Sequence, residues 1–253
     1  ALDIMTEKLG PDHRNTLTAM HNLGVIAAAL GRHEDALALT LGRYETMAEA
    51  DPGEGVISLV TASNVATEIG NSEQSLSLAR QAAALAETLP EDNAKAARGL
   101  ETLAMRLDEM GDYSGALELI DDVIARRQMA SGDAIDPASQ LHKGLLLLRL
   151  EDREAGWPLV QQGLDALEAD LVELASQAEI GGELSSYYEV LTQVAEAAII
   201  AGEPDTALRA FELASWGVNA RARQFVTLRA QSAADPALAA LVDTFQNGRS
   251  RLR

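Results

Sequence analysis

The heptapeptide Gly111-Asp112-Tyr113-Ser114-Gly115-Ala116-Leu117 joins two apolar patterns of helical period. Before it, Leu100, Leu103, Leu107 and Met110 recur at steps of three and four; after it, Leu117, Ile120 and Ile124 continue the stripe. That spacing places each set on one face of a helix. Gly111 predicts a left-handed backbone that ends the first helix. Ala116, five residues on, predicts the closest approach of the two helices, where a larger side chain would force them apart. The segment reads as two antiparallel helices joined by a tight turn.

The same arrangement recurs along the chain. Turns fall at Leu30-Gly31-Arg32-His33, Ile69-Gly70-Asn71, Leu150-Glu151-Asp152 and Ala201-Gly202-Glu203-Pro204, so the intervals are 39, 41, 40 and 51 residues. Five residues beyond each turn stand Ala36, Ser75, Gly156 and Ala207, all small. In the first unit Met20, Leu23, Ala27 and Leu30 give the stripe of the leading helix. One helix pair cannot bury both of its stripes, whereas stacked pairs can. The expected fold is all-α, a right-handed solenoid of antiparallel helix pairs. Repeat four lacks the turn glycine, and Trp157-Pro158 predicts a kink or a late start in its second helix. Leu159–Ala178 reads as one extended helix, with Leu164, Leu167, Leu171 and Leu174 on one stripe, broken by Gly181-Gly182.

Composition agrees. Among 253 residues, 47% are hydrophobic but only 4% aromatic, so Ala and Leu supply the apolar surface, as packed helices require. The formal net charge of −19 is the wrong sign for neutralising nucleic-acid phosphates; a basic protein or peptide is the partner that this charge suggests. With no cysteine there is no disulfide, thiolate metal site or cysteine nucleophile. No apolar run approaches the roughly 20 residues of a membrane span. The chain opens inside a helical pattern without an initiator Met, which reads as a piece of a longer protein; the compartment stays open, with cytoplasm the default and export compatible.

These features resemble tetratricopeptide (TPR) repeats. Gly111–Leu117 is similar to the central turn of such a repeat, Leu23-Gly24 to the Leu-Gly pair of its first helix, and Ala207, Phe211 and Ala214 to the packing positions of its second. Ala1–His13, with Glu7-Lys8-Leu9-Gly10-Pro11-Asp12-His13, resembles the kinesin-light-chain subtype. The resemblance implies a TPR-like α-α superhelix over residues 1–215, irregular around 159–187. It implies a protein-interaction module that holds a peptide or protein partner in its concave groove, with no catalysis. Residues 216–253 carry six Arg and no Lys against Asp235 and Asp243. Together with Ala210–Trp216, Asn219–Arg223 and Asp235–Val242, they resemble the linker preceding bacterial CHAT domains, which are caspase-like cysteine peptidases or their relatives. This implies an alternative role as the regulatory arm of a peptidase lying beyond residue 253.

No reactive constellation is visible. His13, His21, His33 and His142 have no metal-ligand spacing, and Asp121-Asp122 are adjacent on a helix and so do not share a face. Gly53-Glu54-Gly55 reads as a loop between repeats and lacks the Lys and Ser/Thr of a phosphate cradle. No catalytic residue, metal ligand or cofactor is expected. The groove is expected to be lined by residues of the first helices: Thr18, His21, Asn22 and Val25; Val60, Thr61, Asn64 and Thr67; Arg98, Glu101, Thr102, Met105 and Asp108; Leu141, His142 and Leu145; Thr192, Gln193 and Glu196. Of these, the candidate peptide-binding set is His21, Asn22, Val25, Asn64, Thr67, Arg98, Glu101, Met105, His142 and Gln193. By the resemblance, Asn22 and Asn64 correspond to asparagines that hold an extended peptide backbone. The clamp for heat-shock-protein tails needs Lys and Asn where this chain has His21 and Val25, a departure that argues against chaperone-tail binding.

Overall fold

The computed structural model describes residues 2–132, 136–177 and 187–215, and every regular element among them is a helix. In chain order these are α1 (Leu2–Leu9), α2 (Arg14–Ala29), α3 (His33–Met47), α4 (Pro52–Glu68), α5 (Ser72–Ala86), α6 (Ala94–Glu109), α7 (Tyr113–Ser131), α8 (Pro137–Arg149), α9 (Arg153–Gln177) and α10 (Tyr188–Ala201). Residues 204–215 are also helical. The chain divides into two compact units, Ala1–Gly163 and Leu164–Arg253. The Gly181-Gly182 break and the tail 216–253 lie outside the described residues.

The first unit is a row of helix pairs, α2–α3, α4–α5, α6–α7 and α8 with the start of α9, each closed by the same turn. The amide of Asp112 donates to the Leu107 carbonyl at 2.9 Å and that of Gly111 to Asp108 at 2.9 Å, with Gly111 at φ +82°. This satisfies two carbonyls that the helix end would otherwise leave bare. Arg32 and Gly31, Asn71 and Gly70, and Asp152 and Glu151 repeat the two bonds. The residue closing one helix also opens the next: Asn71, Asp112 and Asp152 cap α5, α7 and α9 through Gln74, Gly115 and Ala155 amides. Repeat four manages without glycine because Glu151 itself takes φ +66°.

Small residues meet where the paired helices cross. Each small residue of a second helix faces another twelve positions earlier: Gly24 with Ala36, Ser63 with Ser75, Ala104 with Ala116 and Gly144 with Gly156. A methyl on Gly144 would lie 2.8 Å from a Val160 methyl and 3.0 Å from the Gly156 carbonyl, so the helices would have to shift to admit it. Ser63 and Ser75 each donate to the other's carbonyl at 2.9 Å, so buried hydroxyls replace methyls there without an unmet bond. Successive pairs share one core. Val56, Leu59, Leu78, Ala82, Leu100 and Val123 form a cluster drawn from α4, α5, α6 and α7.

Three expectations are corrected. Gly53-Glu54-Gly55 is no loop but the first turn of α4, because Pro52 has a preset φ and no N–H to satisfy, and Asp51 caps the Glu54 amide at 3.0 Å. Pro158 does not delay the start of its helix, since α9 begins at Arg153 and runs on past the proline. Of the α2 stripe only Ala27 is buried; Leu23 and Leu30 are exposed. The next pair buries Ala62, the match of Leu23, whereas Ile69, the match of Leu30, is exposed as Leu30 is; α1, which precedes α2, has eight residues, none of them buried.

In the second unit, Leu191, Val194 and Ala198 of α10 and Ala207, Ala210 and Leu213 of the following helix are buried. Arg209 reaches Asp165 and Glu168 at 2.6 Å each. The Gly202 turn repeats the pattern, with Glu203 donating to Ala198 at 2.8 Å and φ at +77°.

Candidate functional site

The small residue of each first helix gives a common register. A residue three positions before it lies about 60° away around the helix axis, on much the same face, and is aimed at the partner helix. His21 accordingly is half-buried within the field of Arg43 on α3, Glu101 pairs with Arg127 of α7 at 2.7 Å, and Leu141 is fully buried against Gly163 of α9. Val60, at the same register, is buried as well. Leu145 and Thr102 are also enclosed. Val60, Thr102, Leu141 and Leu145 therefore belong to the core, contrary to the inner-face expectation.

The positions turned away from the partner helix are open. Asn22, Asn64 and Arg98 are exposed, Val25 is 47% exposed, and Met105 is half-buried. Neither Asn22 nor Asn64 spends its amide on this chain among the described residues, and Arg98 makes no ion pair there.

Other candidates are engaged internally. Thr67 is held 2.7 Å from the Ser75 hydroxyl and bonded by Arg106 of α6. His142 Nε2 lies 3.4 Å from Asp108, whose carboxylate also receives Arg149, and Arg149 lies over the Tyr113 ring at 5.6 Å. These bonds tie α6 to α8. Burial would raise the Asp108 carboxyl, but hydrogen bonds from His142 and Arg149 outweigh it and hold the group below its ordinary value. Gln193 is half-buried on α10, in the second unit.

Sequence reasoning missed a clasp at the joint of the first two pairs. Glu54 accepts from Lys95 of α6 at 2.7 Å and from the Arg43 guanidinium of α3, which also donates to Ser58 at 2.6 Å and to the Glu54 carbonyl at 3.2 Å. Arg43 is only 7% exposed and Glu54 30%. The Lys95 hydrogen bond, followed by that of Arg43, holds the Glu54 carboxyl below its usual value against the effect of burial. His21 stands in the same field: burial first, then the Arg43 cation, push its imidazole toward neutrality, and Arg98 adds to this while Glu54 opposes it. Asp51-Pro52 was the available signal, since a cap followed by proline starts a helix and places Glu54 in its first turn.

Among the described residues no three His, Asp or Glu gather as a metal set, and no helix is long and apolar enough to cross a membrane. Among the described residues, the open positions offer amides and a guanidinium without a partner on this chain, and an exposed valine, on consecutive first helices.

Tetratricopeptide-repeat family models match residues 1–39 and 97–137. No curated protein matches this sequence. Among solved structures, the nearly identical TPR-like repeats of a kinesin light chain from Podosopora anserina align over 84% of this chain and 98% of theirs, with a TM-score of 0.52 and 19% identity. A single-residue variant of that protein gives 0.52 and 20% over 84% and 96%. MamA is less similar, at a TM-score of 0.41 and 15% identity over 79% of this chain and 96% of its own. Residues 1–39 and 97–137 thus match tetratricopeptide repeats, and the helix pairs share the fold of kinesin-light-chain-type repeats.

Proposed function

We propose that the first unit is a protein-interaction module that receives an extended or helical segment of a protein partner along the open side of α2, α4 and α6, without catalysis. The observation that carries this reading is the pair of exposed amides, Asn22 and Asn64, on successive first helices beside the exposed Val25. An asparagine amide donates to a peptide carbonyl and accepts from a peptide N–H at once, which suits a guest recognised through its backbone. The reading is tested by panning a randomised dodecapeptide phage library on the chain and mapping selected peptides by NMR. Perturbation of Asn22 and Asn64, with affinity lost in the Asn22→Ala/Asn64→Ala variant, is the expected result. Peptides that map to α3, α5 or α7, or no selected peptide at all, would overturn it.

A second reading rests on the basic stretch 216–253 and its likeness to a CHAT-domain linker. In that case the module is a sensor arm, and guest binding acts on an attached peptidase. Reading the parent gene past Arg253 decides it: a His and a Cys on adjacent strand ends of a caspase-like sheet support the arm, and a stop codon removes it.

A further inference from the structure

The seam between successive hairpins follows one rule. The residue two positions after the small residue of a first helix packs on the opening turns of the second helix before it: Val65 joins Ala36 and Leu37, and Leu146 joins Ile120 and Leu117. On the second-helix side, the position four residues after the crossing residue is held by Thr40, Ala79, Ile120 and Val160, all buried. The fifth member of that series is Phe211, the largest of them, and it is 64% exposed; Leu208, the match of Leu37 and Leu117, is exposed one turn before it. On the first-helix side Val65, Arg106 and Leu146 are buried, while Ile26 at the same register is 53% exposed, with Leu23 and Leu30 open one turn to either side. The chain thus carries both halves of one more seam, on two different hairpins, and each half is bare.

We infer that the two halves close on each other between copies of this chain: Leu208 and Phe211 of one copy seat on Leu23, Ile26 and Leu30 of a second. The contact continues the seam that already joins α3 to α4 and α7 to α8, with the same registers on both sides. α1 packs on α2, and Thr16 and Leu17 on the opening turns of α2 are buried, so the bare half of α2 is the one beside the Gly31 turn. That half is the one that the opening turns of a second helix meet in the seams within the chain, and the helix 204–215 presents those turns. Charge fits as well. α2 carries Arg14 and no acid, whereas the helix 204–215 carries Asp205 and Glu212, and its Arg209 is taken by Asp165 and Glu168. Burial of the exposed apolar side chains supplies the attraction. Because the two surfaces differ, each contact leaves one free face on either copy, so copies add in series until a ring closes. The inference does not depend on the groove reading, which uses Asn22, Asn64 and Val25.

The test is sedimentation equilibrium of the full chain and of two variants at exposed positions, Ile26→Asp and Phe211→Asp. The unchanged chain should start near 26.9 kDa and rise with concentration past the mass of a dimer. Each variant alone should stay at the mass of one chain. Mixed in equal amounts, the two should form a 1:1 dimer that grows no further, because Ile26→Asp keeps a sound Phe211 end and Phe211→Asp keeps a sound Ile26 end. Circular-dichroism melts identify a variant that has lost its fold, and Ile26→Ser or Phe211→Ser then takes its place. An unchanged chain that remains a single copy at every concentration would overturn the inference. If Phe211→Asp then lowers the melting temperature of that single copy and Ile26→Asp does not, residues 216–253 are the occupant of the Phe211 face. Variants that still associate alone, or that fail to join when mixed although the unchanged chain associates, place the contact elsewhere and overturn it too.

Discussion

Replacing Glu54 by Gln tests the clasp most directly. The Arg43 guanidinium is 7% exposed, so it cannot recover water when its counter-ion goes, and Lys95 remains close by as a second positive charge. Breaking a fully buried pair costs about 3–5 kcal/mol, and a solvated one up to about 1. With Glu54 30% exposed, and with Ser58 and a backbone carbonyl still serving Arg43, the expected loss is about 2–3 kcal/mol. Urea unfolding followed by circular dichroism should show the first transition moving down by about 1 M, at a slope of roughly 2–3 kcal/mol/M. Arg43→Met is expected to cost less than about 1 kcal/mol, because it removes the buried charge, leaving Glu54 to water and Lys95. The double variant should resemble Arg43→Met alone. NMR gives an independent readout: Glu54 is the charge that supports a proton on His21, so Glu54→Gln should lower that imidazole further. Equal costs for Glu54→Gln and Arg43→Met, or a loss below about 0.5 kcal/mol for the first, would refute the reasoning that a stranded buried cation sets the penalty.

Other outcomes follow from the turns, the crossings and the carboxylates. Glu151→Gly should stabilise the chain by about 0.5–1 kcal/mol, since a left-handed non-glycine residue costs about 1–2 and glycine's own entropy returns part of it; Gly111→Ala should do the reverse, and chemical denaturation reads both. Ala116→Leu, at a fully buried crossing, should cost about 1–3 kcal/mol or more by prising α6 from α7, visible as a lower melting temperature, whereas the same change at exposed Ala29 should be nearly silent. Stability should fall with acid. Glu54 and Asp108 are held below their ordinary values, so the unfolded chain binds protons first; their contribution is full above the ordinary carboxylate range and is lost as pH drops through the depressed values. Urea midpoints between pH 7 and pH 3 check this, and Asp108→Asn should make the decline shallower.

The period was legible because its chemistry is local. Gly31, Gly70, Gly111 and Gly202 end helices by their own backbone freedom, and Ala36, Ser75, Ala116 and Gly156 admit a neighbour by their size alone. Glu151 shows the limit of that reading: no side-chain rule marks it for φ +66°, and only its place in the repeat does. The inner surface was harder to read. His21, Glu101 and Leu141 share one register, yet one is a half-buried imidazole in the field of a cation, one is paired and one is core. The facing residue on the partner helix decides which, and no period within one helix records it. The Arg43–Glu54–Lys95 clasp joins residues 11 and 41 positions apart on three helices, a separation at which no periodic signal survives.

The shared residue at each inner turn also has a mechanical consequence. Because Asp112 closes α6 and caps α7 at once, the two rods have no slack between them and must swing as one stiff hairpin. Compliance is then confined to the longer joints between hairpins, such as residues 48–51 and 87–93. The first of these joints is bridged by Arg43 and Glu54, so that pair works as a stiffener on the hinge between the first two hairpins. Loosening it would leave every helix intact while letting the span between neighbouring amides breathe.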